Sequence, residues 1–216
     1  MTYALELKNV TKNYTNFTLQ NISLVLPKGC IMGLIGENGA GKSTLIKLML
    51  NLIQRDGGEI DVLDVPAEVF SAERNAHIGV VMDECHIPDM LNVRQVDQIM
   101  QDIYPNWQSD VFRQLTARFG LPEKGKIKTY SRGMKMKLSI AVALSHDAQL
   151  LILDEATSGL DPVVRDEILD IFLEFIQDEE HSILFSTHIT SDIQKVADYV
   201  ILIHNGKIIF EEKKDD

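Results

Sequence analysis

The sequence predicts an α/β fold, an open parallel sheet with an antiparallel β region before it and a helical insertion within it. Three observations predict this. A compact apolar strand, Cys30 to Ile35, runs into a glycine-rich turn and then into Leu45, Ile46, Leu48, Met49 and Leu52 at helical spacing. A second apolar run, Leu150 to Leu153, ends in the acid pair Asp154-Glu155, the pattern of a strand covered on both faces. Between about Ile87 and Ser145, strand-like runs are scarce and helical patterning prevails.

The elements follow in order. Leu5 to Lys8 and Ile22 to Leu26 read as short antiparallel strands separated by polar turns. Inside the insertion, Val93 to Tyr104 and Asp110 to Phe119 read as helices split by the breaker Tyr104-Pro105-Asn106. After the acid pair, Asp161 suits an N-cap and Pro162 the first helical position. That helix buries Ile168, Ile171, Phe172, Phe175 and Ile176 along one side. Ser182 to Ser186 is a further strand, and Tyr199 to Ile203 with Ile208 to Phe210 forms a hairpin about Asn205-Gly206. No repeat, low-complexity stretch or Gly/Ser linker interrupts the 216 residues. The predicted organisation is one domain, a core formed by 1–86 and 146–216 with the antiparallel β subdomain, and an inserted helical subdomain at 87–145.

Composition narrows the function. An apolar content of 45% supports a real core, and a net charge of −11 argues against a phosphate-backbone partner, so no nucleic acid is expected. Cys30 and Cys85 have neither disulfide-framework nor zinc-ligand spacing and read as buried thiols of a reducing compartment. No apolar run approaches the ~18 residues of a membrane-spanning helix. The start, Met1 to Glu6, lacks the basic and apolar regions of a signal peptide, which predicts a cytoplasmic chain. Any membrane role then passes through a partner.

Gly36-Glu37-Asn38-Gly39-Ala40-Gly41-Lys42-Ser43, followed by Thr44, satisfies G-x-x-x-x-G-K-[ST] and sits between a predicted strand and a predicted helix. Glycines let backbone N–H groups wrap a triphosphate without side chains in the way, and the helix N-terminus adds partial positive charge. Lys42 would neutralise the β- and γ-phosphates and Ser43 would coordinate Mg²⁺. Asp154 and Glu155 fall at the carboxyl edge of the sheet, where open α/β folds bind ligands. Successive strand side chains diverge, so their roles should differ. Asp154 suits a contact to Mg²⁺ through water, and Glu155 suits the base or orienting group for an attacking water.

With these residues in place, the sequence resembles the nucleotide-binding domain of the ABC transporter family from Leu5 to about Phe210. The resemblance implies a RecA-like P-loop NTPase core. Tyr130-Ser131-Arg132-Gly133-Met134 aligns with the family's signature Leu-Ser-Gly-Gly-Gln, about twenty residues before the acid strand. It implies that Ser131 and Gly133, with the following helix N-terminus, close over the γ-phosphate of ATP held by another subunit. Ser158-Gly159-Leu160-Asp161 matches the loop crossing the dimer interface. His188, in Ser186-Thr187-His188, matches the switch histidine, and Tyr14 the aromatic that stacks on adenine.

The sequence departs from that pattern at several positions. In Ile78-Gly79-Val80-Val81-Met82-Asp83-Glu84 the glutamine position is Asp83. A carboxylate there could meet Mg²⁺ directly, but it adds negative charge beside the γ-phosphate and donates no hydrogen bond when ionised. Arg132 replaces the first signature glycine and Met134 the glutamine, which resembles variants of bacterial exporter-type systems for drugs, peptides or lantibiotics. Ala156 stands where proline is common.

The resemblance implies an ATP-hydrolysing subunit that binds Mg²⁺, dimerises with a second copy or a homologous subunit around two ATP, and drives an integral membrane permease from the inner face of the membrane. Tyr104, Pro105 and Trp107 are either part of that coupling surface or ordinary lobe packing. Two other readings remain: an ABC module acting on DNA or ribosomes, which usually carries long coiled-coil insertions or duplicated domains, and a binding-only regulator. Glu155 argues against the regulator, and Asp83 keeps it open.

Overall fold

A computed structural model describes residues 3–213. Met1, Thr2 and the end of the charged tail at 214–216 lie outside them. β1 (Tyr3–Tyr14) and β2 (Phe17–Pro27) form an antiparallel hairpin, and β3 (Ile31–Ile35) leads into α1 (Lys42–Met49). β4 (Gly57–Val62), β5 (Val65–Pro66), α2 (Ala72–Ala76) and β6 (Ile78–Val81) follow. Next come α3 (Val93–Ile103), α4 (Ser109–Arg118), a 3-10 turn at Ile127–Thr129 and α5 (Arg132–Leu144). The chain closes with β7 (Leu150–Asp154), α6 (Pro162–Phe175), β8 (Ser182–Thr187), α7 (Thr190–Val196), β9 (Tyr199–His204) and β10 (Lys207–Lys213).

A four-stranded antiparallel sheet has the order β2-β1-β4-β5, and a six-stranded sheet the order β10-β9-β3-β8-β7-β6, parallel except for β10. Alternation along the parallel strands divides the core in two. Met32, Leu34, Leu150, Ile152 and Leu184 face α1 and the antiparallel sheet, while Ile31, Leu151, Leu153, Ile183 and Phe185 face α5, α6 and α7. The second cluster continues into Val96, Phe112 and Ile127 of the helical insertion, so one apolar body joins the insertion to the sheet.

Asp161 caps α6 by accepting from Val164 N at 3.0 Å, with Pro162 at the first turn, as predicted. Asn205 and Gly206 have φ of 47° and 73°, the double left-handed pair of a two-residue hairpin turn. In the insertion, Asn92 and Gln95 close a capping box at the start of α3. Tyr104 stacks on buried His146 at 4.2 Å, and Trp107 donates through Nε1 to Asp97 at 2.8 Å; Pro105 is exposed. Tyr104 and Trp107 are thus engaged in packing.

Several expectations change. The first two strands are much longer than their apolar runs, because backbone pairing carries β1 through irregularities between Leu7 and Lys12 and on to Tyr14. β4, β5, β6, α2 and α7 have no counterpart in the sequence reading. Cys30 and Cys85 are free but half-buried, not fully buried. Met90 lies on a surface loop at 60% exposure, whereas Met136 is buried in the core. Among the described residues no helix is long and apolar enough to cross a membrane.

Candidate phosphate site at the carboxyl edge of the parallel sheet

β3, β6, β7 and β8 all end on one edge, and each end delivers a predicted site residue. β3 leads into the Gly36–Ser43 loop, β6 runs to Asp83, β7 ends at Asp154 with Glu155 next, and β8 ends one residue before His188. The parallel register places them together: β8 separates β3 from β7 and hydrogen-bonds to both.

The loop is shaped by close approaches. A Cβ on Gly36 would come within 2.6 Å of Ile203 O, so only glycine lets the strand turn there. Gly41, with φ of 115°, precedes α1, and no side chain caps that helix. The first amides of a helix have no intrahelical acceptor, so those of Lys42, Ser43 and Thr44 offer donors together with the helix dipole. Glu37, Asn38, Gly39, Gly41, Lys42, Ser43, Thr44, Asp83, Glu155 and Phe17 line one pocket of about 270 Å³; Gly36 and Ala40 are buried beneath it.

Lys42 is only 4% exposed. Its Nζ donates to Gly36 O at 2.7 Å and Glu37 O at 3.3 Å and lies 3.2 Å from Glu155 Oε1. This contact is ionic and lacks hydrogen-bond alignment, which leaves Oε1 buried without a hydrogen-bond partner. An unsatisfied buried carboxylate oxygen costs stability and marks a place where a water or ligand donor is wanted. Glu155 has φ of 52°, a left-handed conformation rare for a residue with a side chain, and its N–H is held by Ser186 O at 3.0 Å. The turn diverts Glu155 from the strand direction. Its other oxygen, Oε2, lies 2.7 Å from His188 Nδ1. Asp154 is buried, and its Oδ1 accepts from Ser186 Oγ at 2.6 Å. Adjacent in sequence, the two acids have separate surroundings.

Not every predicted residue enters this pocket. Ser131 is the exposed N-cap of α5, accepting from Met134 N at 3.2 Å, and Gly133 follows it. Asp161 is occupied in capping α6. Tyr14, at the end of β1, lies 6.5 Å from the Phe17 ring, and Phe17 rather than Tyr14 borders the phosphate loop. Phe17 escaped the sequence reading, which singled out one aromatic there; two aromatics flanking a tight turn were the available signal. Thr157, which donates to buried Asp192 at 2.7 Å, was also missed. That bond ties the loop after Glu155 to α7.

A family profile described as ABC transporter matches residues 19–158. The lantibiotic transport ATP-binding protein SrtF of Streptococcus pyogenes is 33% identical over 213 residues, covering 98% of this chain and 91% of its own. The bacitracin transport ATP-binding protein BcrA of Enterococcus faecalis is 33% identical over 214 residues, covering 98% and 70%. A solved ATP-binding subunit of an ABC transporter superposes with a TM-score of 0.89 at 26% identity, covering 99% of this chain and 91% of its own. The fold is shared with a dimeric ATP-binding cassette in a post-hydrolysis state bound to ADP and Pi, with a TM-score of 0.85 at 20% identity over 97% of this chain and 98% of its own.

Proposed function

This chain belongs to the ABC transporter family, and on that premise we propose that it is the ATP-hydrolysing subunit of a bacterial exporter for a drug, peptide or lantibiotic-like cargo. The observation that carries the reading is the linked set Lys42, Glu155 and His188, of which Lys42 and Glu155 line the phosphate pocket and His188 holds Glu155 from outside it.

Each residue then has a task. Backbone amides from Gly39 to Thr44 bind the β- and γ-phosphates, and Lys42 shifts part of its charge from the Gly36 and Glu37 carbonyls to phosphate oxygens. Glu155 Oε1 receives a proton from the attacking water as its oxygen bonds to the γ-phosphorus and the bridging oxygen leaves on ADP. His188 holds Oε2 and thereby the carboxylate's orientation. Ser43, Asp154 and Asp83 would supply hard oxygen donors of the kind that suit Mg²⁺. Among the described residues no group of three or more His, Cys, Asp or Glu makes a metal site alone, so water and phosphate oxygens would complete the shell. When bound, Mg²⁺ neutralises charge on the transferring phosphoryl group.

Ser131, Gly133 and Asp161 stand outside the pocket of their own chain, which supports a composite site completed by a second copy or a homologous subunit. Tyr14 would stack on adenine at the outer end, beside Phe17. The segment 87–145 serves as the helical subdomain, between a core of 1–86 and 146–216 and an integral membrane permease that holds the chain at the inner membrane face. The test is ATP turnover by the purified chain with Mg²⁺, and its co-purification with a multi-spanning membrane protein. Turnover without such a partner in the producing cell would separate the ATPase from transport.

A further inference from the structure

Arg132, the first residue of α5, and Asp83, just beyond β6, line a single cavity of about 560 Å³ next to the phosphate pocket. Asp83 also lines the phosphate pocket, so its carboxylate belongs to both spaces. Among the described residues neither Asp83 nor Arg132 makes an ion pair. The cavity's other cation, Lys135, is held by Asp89 at 2.6 Å. Its other carboxylate, Glu84, does not reach the phosphate pocket. One uncommitted cation thus shares a space with Asp83, the one acid of this cavity that also lines the phosphate pocket.

The place of the guanidinium is prepared. Gly159 has φ of 69°, and a Cβ there would lie 3.1 Å from Arg132 Nη1 and 3.3 Å from Cζ. Arg132 therefore rests against the bare backbone of the loop that follows Glu155, and a side chain at 159 would push it away. An ionised Asp83 repels a triphosphate, and a cation lining the same cavity offsets that repulsion.

We propose that Arg132 is the counter-charge of Asp83, so that affinity for ATP depends on the pair and not on either residue alone. The two departures from a neutral glutamine and a neutral glycine then compensate each other. Arg132 acts at a distance, offsetting the negative charge of Asp83 without touching the reacting atoms. The inference rests on the Gly36–Thr44 loop being the ATP site.

The experiment measures equilibrium binding of a fluorescent ATP analogue with Mg²⁺ to the purified full chain. The proteins are wild type, R132Q, R132K, D83Q, D83Q/R132Q, E84Q, E84Q/R132Q and K42A. R132Q is expected to weaken binding about three- to fivefold at low salt, the range of exposed charge pairs, while R132K stays near wild type. In the D83Q background the same R132Q change should alter affinity by less than about 1.5-fold, and raising salt should shrink the R132Q deficit. E84Q should leave the R132Q effect intact. An equal R132Q effect with and without D83Q would overturn the pairing, as would coupling to Glu84 instead. K42A binding as tightly as wild type overturns the phosphate-loop reading and this inference with it. A weakened K42A with no Asp83–Arg132 coupling overturns this inference alone.

Discussion

His188 Nδ1 lies 2.7 Å from Glu155 Oε2, and the two residues arrive from different strand ends 33 positions apart. The contact fixes the carboxylate on one side while Lys42 approaches it on the other at 3.2 Å. Replacing His188 by Ala is expected to lower kcat by about 10²-fold, the scale of one misplaced proton-transfer group. ATP affinity should change little, since the imidazole meets Glu155 rather than the loop amides. Steady-state kinetics decides it, and an unchanged kcat would sink the positioning role.

Glu155→Gln keeps the shape of the side chain and removes its basicity. Turnover should fall by about 10²- to 10⁴-fold while Mg-ATP binding survives. The variant should elute as an ATP-dependent dimer on size exclusion. Turnover at the wild-type rate would remove Glu155 from proton transfer.

Lys42→Ala strips the ammonium from Gly36 O, Glu37 O and Glu155. Charge-assisted contacts to phosphate are lost, and nucleotide affinity should drop by at least about tenfold. Titration calorimetry reads this directly. Retained affinity would overturn the phosphate-loop reading.

Buried His146 links pH to stability. Its Nδ1–H donates to Ala76 O at 2.8 Å, its ring stacks on Tyr104, and burial pushes its pKa below the ordinary 6.5. The unfolded chain therefore takes up the proton first. The contribution of His146 is present above the unfolded value and is lost as pH falls through the folded one. Urea midpoints at pH 7.5 and 5.5 should differ more for wild type than for His146→Gln, which stays neutral at both. Equal differences would contradict the assignment.

Asp161→Ala removes the bond to Val164 N and should cost about 1 kcal/mol, the usual value of an N-cap. Asp161→Asn keeps an acceptor and should cost little. Denaturant unfolding of the two variants tests the cap. Their ATP turnover tests the added role across a dimer interface.

The features legible in the sequence are those whose physics is local. The phosphate loop, the acid pair, the Asp161-Pro162 cap and the Asn205-Gly206 turn each lie within a few consecutive residues, and backbone geometry near those residues dictates them. β4 was not legible: Gly57-Gly58-Glu59-Ile60-Asp61-Val62 has little apolar content of its own and is a strand because β1 supplies its hydrogen bonds. A Cβ on Gly58 would come within 2.5 Å of Lys8 O, a constraint that exists only once the two segments meet.

The site divides in the same way. The sequence by itself determined which residues are candidates for the chemistry, because glycine spacing and a strand ending in acids are written along the chain. Only the tertiary structure decided that Glu155 is shared by Lys42 and His188, that Phe17 and Asp83 enter the pocket, and that Asp83 faces the same cavity as Arg132. Those relations depend on the order in which parallel strands pair and on a left-handed turn at Glu155, and both are set by packing between segments far apart in the chain.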